Sequence, residues 1–156
     1  MSETFPHVRG AFPWLRSGPL WRMHVDAAPA LDAFLAENGY LRLDLDGTLL
    51  TSRAAAHAEL ARLLGFADWY GGNWDAFHDC FYGFVNEHAG QRIALVWHHP
   101  EVSAAAAPLT AIEVGWALLT EAFEHRWSEN DRPTIWMETF ALGVGDDFDR
   151  PDQNPN

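Results

Sequence analysis

Hydrophobic and polar residues follow two spacings along this chain, one typical of strands and one typical of helices. The run from Ile93 to Trp97 is apolar throughout, which is typical of a strand buried on both faces of a parallel sheet. Residues 40–45 alternate between apolar and polar side chains, as a strand with one buried face does. The pattern predicts strands at residues 20–25, 40–45, 92–97 and 133–140.

Helical spacing separates these strands. The longest helical segment, residues 110–127, is amphipathic, with Ile112, Trp116, Leu119 and Phe123 at intervals of four, three and four. Because strands and helices alternate, the pattern predicts an α/β fold in which helices flank a small parallel β-sheet. Helices are predicted at residues 29–37, at residues 53–64, from Asn73 onward and at residues 110–127.

The segment that follows Gly71 and Gly72 predicts a short helix with two different faces. Asn73 is a suitable N-cap, because its side-chain oxygen can accept a hydrogen bond from a free amide of the first turn. An aromatic stripe marks one face, and polar side chains mark the other. The stripe is Trp74, Phe77, Phe81 and Phe84, and the polar face is Asp75, His78, Asp79 and Tyr82.

The polar face carries two like charges, because Asp75 and Asp79 lie four residues apart. Their repulsion costs an isolated helix about 0.2–0.5 kcal/mol. The spacing alone favours an ordinary solvated helix face for these two aspartates.

The two ends of the chain differ from its middle. Residues 1–39 begin with a proline-containing arm and are predicted to form an N-terminal strand-helix extension. Residues 40–141 contain the remaining predicted elements and are interpreted as one domain. Residues 142–156 are rich in Gly, Asp, Pro and Asn, and are predicted to be a disordered acidic tail.

Charge and cysteine content narrow the possible partners and compartment. The chain of 156 residues has a net charge of −12, and all ten of its basic residues are arginine. This charge disfavours direct binding to nucleic acid or to an anionic membrane, and it favours a basic protein partner. The single cysteine cannot form an internal disulfide, and the N-terminus lacks the pattern of a signal peptide. We therefore expect a cytoplasmic protein.

One motif suggests an enzyme. The run from Asp44 to Leu49 resembles the opening motif of haloacid-dehalogenase-type phosphatases, in which Asp44 would attack phosphorus and Asp46 would act as acid and base beside Mg²⁺. However, the motif begins far into the chain, and the chain contains no lysine to hold the phosphoryl charge. A strand that ends in an Asp-Gly turn is the favoured interpretation.

Metal-binding or nucleophilic chemistry has weaker support. Cys80 falls beside the aromatic stripe, where a thiol is usually an inert small apolar group. Several possible metal ligands lack the paired spacing of a zinc or iron site. These are His78, Asp79, Cys80, His88, His98 and His99. No metal or other cofactor is predicted.

The turn and helix also match a family pattern: aromatic-Tyr-Gly-x-Asn-x-Asp-Ala-x-x-Asp-Cys. The chain meets it at Trp69, Tyr70, Gly71, Asn73, Asp75, Ala76, Asp79 and Cys80, and Gly83 and Phe84 continue it. In this pattern the chain resembles the barstar family, the intracellular inhibitors of the ribonuclease barnase. The resemblance covers about residues 40–141.

The resemblance implies a role for each residue of the motif. Asp79 would be the principal anion facing the catalytic arginine and histidine of a ribonuclease, and Asp75 would be a second anion. Trp69 would pack on the catalytic histidine, and His78 would make a smaller contact. The other implied contact residues are Asn73, Gly83, Phe84 and an acid of the later helix, which is Glu121 with Glu124 as the alternative.

The resemblance implies a non-enzymatic inhibitor that blocks the basic active site of a secreted or toxin ribonuclease, as an immunity protein does. We expect the chain to be a monomer before it forms that complex. Two alternatives stay open: a binding protein of the same fold with a non-nuclease partner, and the Mg²⁺-dependent phosphatase.

Overall fold

A computed structural model describes residues 7–127 and 129–151 of the chain. In this part of the chain, four parallel strands form one sheet, and their order across it is Leu20–His24, Trp136–Gly143, Arg92–His98 and Tyr40–Asp46. The prediction of a small parallel sheet flanked by helices is confirmed. The strands are β1 (Leu20–His24), β2 (Tyr40–Asp46), β3 (Arg92–His98) and β4 (Trp136–Gly143).

Helices connect the strands and cover both faces of the sheet. The longest begins at Pro108, where a proline costs no helical hydrogen bond. Within the described residues, every helix is too short or too polar to cross a membrane. The helices are α1 (Val8–Ala11), α2 (Ala28–Glu37), α3 (Arg53–Leu64), α4 (Trp74–Glu87), α5 (Pro100–Ala106) and α6 (Pro108–Glu124).

Strand β3 lies between β2 and β4, and its side chains enter two hydrophobic cores in alternation. Ile93, Leu95 and Trp97 enter the core formed with α3, α4 and α6. Ala94 and Val96 enter the core on the opposite face, which α2 and the N-terminal arm cover. The continuous apolar run of this strand therefore reflects burial on both faces, as predicted.

The N-terminal extension belongs to the same sheet. Strand β1 pairs with β4 from Leu20 beside Thr139 to His24 beside Gly143. Helix α2 then packs its apolar side, including Leu31 and Phe34, on the second core. The extension thus supplies an edge strand and a helix, as its sequence pattern predicts, and it closes one face of the sheet.

The prediction of a disordered tail from residue 142 differs from the structure as far as residue 150. Strand β4 continues through Gly143, and Phe148 is buried in the first core. The Asp149 amide donates to the carbonyl of Arg22 at 2.9 Å. These contacts hold the segment against β1, and a composition rich in Gly and Asp does not reveal them. Residues 152–156 lie outside the described part of the chain.

Helix α6 packs on a different face from the one that its large side chains mark. Val114 and Leu118 are buried in the first core, whereas Ile112, Trp116 and Phe123 are exposed. The buried face also contains Gly115, where an added Cβ would lie 3.4 Å from Leu20. Small side chains on this face let the helix approach the sheet closely, so the larger apolar residues are left on the outside.

Candidate interaction site

Asn73 and Gly72 set the start of helix α4. The Asn73 Oδ1 atom accepts a hydrogen bond from the Ala76 amide at 2.8 Å, as an N-cap does. Gly72 has a φ of +69°, a left-handed conformation that favours glycine. The predicted cap is confirmed, and it determines where the helix leaves the preceding turn.

The aromatic stripe holds α4 in a single rotational position. Phe77 and Phe81 are fully buried, and their rings lie 5.8 Å apart between centroids. Phe84 follows at 5.2 Å from Phe81 and is only 4% exposed. The ring of Phe84 is therefore part of the core, which differs from the implied role as a partner contact. Gly83, the next residue of the motif, is exposed.

Burial of the stripe turns Asp75 and Asp79 to solvent. Both are exposed, and neither forms a hydrogen bond or an ion pair with another residue in the described part of the chain. Other acids are neutralised: Glu59, for example, accepts from Arg62 at 2.6 Å. The charges of Asp75 and Asp79 are therefore available to a partner, one helical turn apart on the same face.

Trp69 projects from the turn before α4 and is 74% exposed. Tyr70, the next residue, faces inward: its hydroxyl hydrogen-bonds to His57 Nδ1, and its ring packs on Phe66. Burial raises the pKa of the Tyr70 hydroxyl to about 12. Tyr70 thus anchors the turn, and the large apolar surface of Trp69 remains outside.

A cleft of about 590 Å³ lies beside this turn, between the turn and α3. His57, Arg62, Asp68 and Tyr70 are among its lining residues. His57 is buried, and its Nε2 atom has no hydrogen-bond partner among the described residues. Burial also lowers the pKa of this imidazole. The motif did not reveal His57, because it belongs to the preceding helix.

Helices α4 and α6 are joined at their polar edges. The Trp74 indole donates to Glu113 Oε2 at 3.0 Å, and Arg53 donates to the same carboxylate at 2.7 Å. Further along, the Tyr82 hydroxyl donates to Glu124 at 3.1 Å. Glu113 carries no signal in the sequence, since its partners are 39 and 60 residues away.

Glu121 lies beneath this edge rather than on it. Its carboxylate is buried, with His78 Nδ1 at 2.6 Å from one oxygen and His125 Nε2 at 3.1 Å from the other. Glu124 is about one-third exposed. Of the two acids that the resemblance left open, Glu121 positions His78, and Glu124 is the one that solvent reaches. The pairing of Glu121 with His125 has the i, i+4 spacing of a helix, a signal that the sequence reasoning missed.

One group of side chains has the composition of a metal site. His78, Glu121 and Glu124 each place one ligand atom within 4.8 Å of the others. Imidazole and carboxylate ligands suit a divalent transition metal such as Zn²⁺. Paired spacing along the chain does not reveal this group, because its ligands come from two helices, α4 and α6. In this structure a hydrogen bond between His78 and Glu121 satisfies both side chains.

The phosphatase motif does not assemble into a metal site. Asp44 contacts Arg42 at 3.0 Å and His98 at 2.7 Å, so its carboxylate is already paired. Asp46 caps the short turn that follows β2. Asp149, in an acidic segment near the C-terminus that could have supplied a further metal ligand, lies against β1 at the opposite edge of the sheet. Three strand spacings, about 14 Å, separate these edges.

The environment of His78 predicts a pH dependence. The hydrogen bond that His78 donates to Glu121 raises the pKa of His78, and the charges of Glu121, Glu124 and Asp79 add to the effect. Because the pKa is raised in the folded state, the stabilisation is complete below about pH 6.5, the ordinary histidine value, and is lost as pH rises through the folded-state pKa.

Titration of the His78 ring by NMR should therefore give a pKa above the ordinary histidine value. Glu121→Gln should lower it, and Glu124→Gln, whose carboxylate lies 3.7 Å away, should lower it less. A pKa of His78 that is the same in the wild type and in Glu121→Gln would contradict the assignment.

Comparison with known proteins agrees with this arrangement. The family model for barstar (barnase inhibitor) matches residues 40–138, which is more than half of the chain and includes β2, the turn, α4, β3 and the start of β4. No curated protein is similar enough to the chain to count as a relative. The matched residues contain the capped helix with its two unpaired aspartates, and we conclude that the chain belongs to the barstar (barnase inhibitor) family.

Proposed function

We propose that this protein inhibits a ribonuclease by inserting the polar face of α4 and the adjacent Trp69 into the active site of the enzyme. The observation that carries the proposal is the pair of exposed carboxylates, Asp75 and Asp79, which no described residue neutralises. They lie on a helix that the family match includes. Membership of a family of barnase inhibitors supports a ribonuclease as the class of partner.

The chemistry of a ribonuclease active site fits such a surface. Cationic side chains there hold the phosphates of RNA, and a helix with two carboxylates one turn apart presents anions at a comparable site. Opposite potentials also steer the two proteins together and raise the association rate. In the absence of the enzyme, the repulsion between Asp75 and Asp79 is the small cost of keeping this face charged.

The proposed contact surface follows the exposed residues. Trp69 provides a large apolar contact, and a partner side chain can enter the cleft beside it. Glu124 takes the place of Glu121 as the acid contributed by α6, and Phe84 supports α4 from within the core. The proposed contact residues are Trp69, Asn73, Asp75, His78, Asp79, Gly83 and Glu124.

The proposed biological role is that of an immunity protein. A ribonuclease that is made for export, or as a toxin, is lethal to the cell that makes it unless an inhibitor blocks it. Such an inhibitor acts in the cytoplasm, where the ribonuclease is made. We propose that Trp69, which is 74% exposed, and His78, on the polar face of α4, select the particular enzyme.

The proposal predicts salt-sensitive inhibition. The protein is titrated against a panel of guanyl-specific ribonucleases, and the residual cleavage of RNA and the association rate are measured at increasing salt. Both inhibition and association rate should fall as salt screens the opposite charges. Asp75→Asn should lower the association rate and reduce its dependence on salt.

Glu37→Gln is the matched control, because Glu37 is an exposed acid of α2 outside the family match. It removes the same charge and should leave inhibition unchanged. If Asp75→Asn and Glu37→Gln reduce inhibition and association rate equally, the net charge of the protein, rather than the polar face of α4, attracts the enzyme. If the panel retains full activity at saturating inhibitor, a binding protein with a non-nuclease partner becomes the better interpretation.

A further inference from the structure

Helix α6 carries an apolar stripe on its solvent-facing side that the inhibitory surface does not use. Leu109 is 74% exposed, Ile112 67%, Trp116 73% and Phe123 52%, and Leu119 lies between the last two and is half-buried. Contiguous apolar surfaces of this extent usually mark an interaction site on a protein. We call these five residues the α6 stripe.

The spacing of the α6 stripe matches the surface that one helix presents to another. Its members follow one another at intervals of three, four, three and four residues, which is the a and d pattern of a helix-helix seam. Glu121 lies about 140° around the helix from Trp116, so the stripe and the buried edge that faces α4 are on different sides. The stripe is therefore suited to a helical partner at a second surface.

An apolar groove runs beside the α6 stripe. Its volume is about 660 Å³, and it separates α6 from β1 and from the segment that follows β4. Leu20, Val144 and Phe148 line its far side. These three residues lie outside the family match, so the N-terminal extension and the C-terminal segment create this groove.

We propose that the α6 stripe is the interface of a symmetric homodimer in which two copies of α6 pack antiparallel across a two-fold axis. The stripe is nearly symmetric about Trp116, with Leu109 seven residues before it and Phe123 seven residues after it. Antiparallel packing places the two Trp116 rings at the axis and Leu109 of one copy against Phe123 of the other. It also aligns the two helix dipoles favourably.

A second copy fits this surface because the chain supplies both halves of the contact. Each copy carries a protruding indole and an apolar groove next to it, so the surface is complementary to itself. Since an aromatic side chain presents roughly 150–250 Å², the exposed members of the stripe offer on the order of 500 Å² per copy. Two copies bury about 1,000 Å², which reaches the lower limit for a specific interface.

The five positions of the stripe carry no charge, although the chain has a net charge of −12. Repulsion between two acidic copies therefore acts at long range rather than within the seam, and added salt screens it. Dimerisation should strengthen with salt, whereas binding to a basic ribonuclease should weaken. Because the two interactions respond to salt in opposite directions, an experiment can distinguish dimerisation from ribonuclease binding. The dimer proposal does not rest on the proposed inhibitory function.

Sedimentation equilibrium of the full chain, from micromolar to submillimolar concentration and at low and high salt, tests the proposal. The wild type should be a concentration-dependent dimer, in contrast to the monomer expected from the sequence. Trp116→Glu should raise the dissociation constant of the dimer by about 100-fold or more. Leu41→Glu, which changes an exposed leucine on the opposite edge of the sheet, is the matched control and should leave it unchanged.

A single variant and a double variant test whether the two α6 helices pack antiparallel. Phe123→Glu should give a monomer, and the double variant Leu109→Lys with Phe123→Glu should restore dimers, because antiparallel packing brings each lysine against a glutamate of the other copy. A double variant that stays monomeric would overturn the antiparallel register. A wild type that is monomeric at every concentration and salt would overturn the dimer itself. If Trp116→Glu then weakened ribonuclease inhibition, the ribonuclease would be the occupant of the stripe.

Discussion

Asp79→Ala is expected to weaken ribonuclease inhibition by about 2–5 kcal/mol, or about 30- to 4,000-fold in the inhibition constant. In the proposed complex the carboxylate of Asp79 enters a cationic cleft and is desolvated there. Its removal leaves positive charges of the enzyme buried without a partner, and this accounts for most of the loss. Titration of RNA cleavage against the variant measures the effect directly.

The same change should leave the free protein as stable as the wild type. Asp79 is exposed and forms no hydrogen bond or ion pair within the described residues, so the fold loses no contact. Its removal relieves the repulsion with Asp75, worth about 0.2–0.5 kcal/mol. Thermal unfolding of the two proteins is the control. If Asp79→Ala inhibits as fully as the wild type, α4 does not enter the active site through this face.

A shortened chain that begins at Tyr40 is expected to lose its folded state, although it contains every residue of the family match. The removed segment buries large side chains against the sheet, each of which contributes about 1.5–3 kcal/mol when fully buried. Together they contribute an amount comparable to the whole net stability of a typical domain, about 5–15 kcal/mol. They are Trp21, Met23, Leu31, Phe34 and Leu35.

The truncation has a second consequence, because it uncovers the other side of the sheet. Phe140 and Val96 lose their covering, and β4 becomes an edge strand with unpaired backbone groups. Circular dichroism and sedimentation should therefore show an unfolded or aggregated chain. A shortened chain that unfolds cooperatively at the wild-type temperature would show instead that the extension is a separate domain.

A single substitution in the full chain tests the packing of the N-terminal extension on the sheet. Phe34→Ala should lower the free energy of unfolding by about 3–5 kcal/mol, because the ring is buried between α2 and the sheet. Ala33→Ser, at an exposed position of the same helix, is the matched control and should change it by less than about 0.5 kcal/mol.

Much of the proposed inhibitory surface could be predicted from local sequence. The Asn73 cap, the aromatic stripe and the exposure of Asp75 and Asp79 follow from helical spacing, since one wide apolar stripe has only one way to face a core. The strand at Ile93–Trp97 was equally clear, because a continuous apolar run requires burial on both sides. In these segments local pattern and tertiary packing agree.

Local pattern was not sufficient where a helix offered two apolar faces. Helix α6 has large residues on one face and small ones on another, and periodicity cannot tell which of the two packs on the sheet. The choice depends on how closely Gly115 can approach Leu20, a contact between segments 95 residues apart in sequence. Phe84 presents a similar problem, because it lies within the aromatic stripe and also continues the family motif. The sequence alone does not tell whether its ring packs in the core or contacts a partner, and the structure places it in the core.

Local sequence was therefore enough to predict the order of the elements, the family and the charged face of α4, because these depend on neighbours within one or two helical turns or on a contiguous motif. Three features required the folded chain: Glu121 is buried between two imidazoles while Glu124 faces solvent, the tail returns to β1, and the α6 stripe is exposed. Each of these features depends on which segment, distant in sequence, packs against the residue. The spacing of residues along one helix or strand does not reveal such contacts.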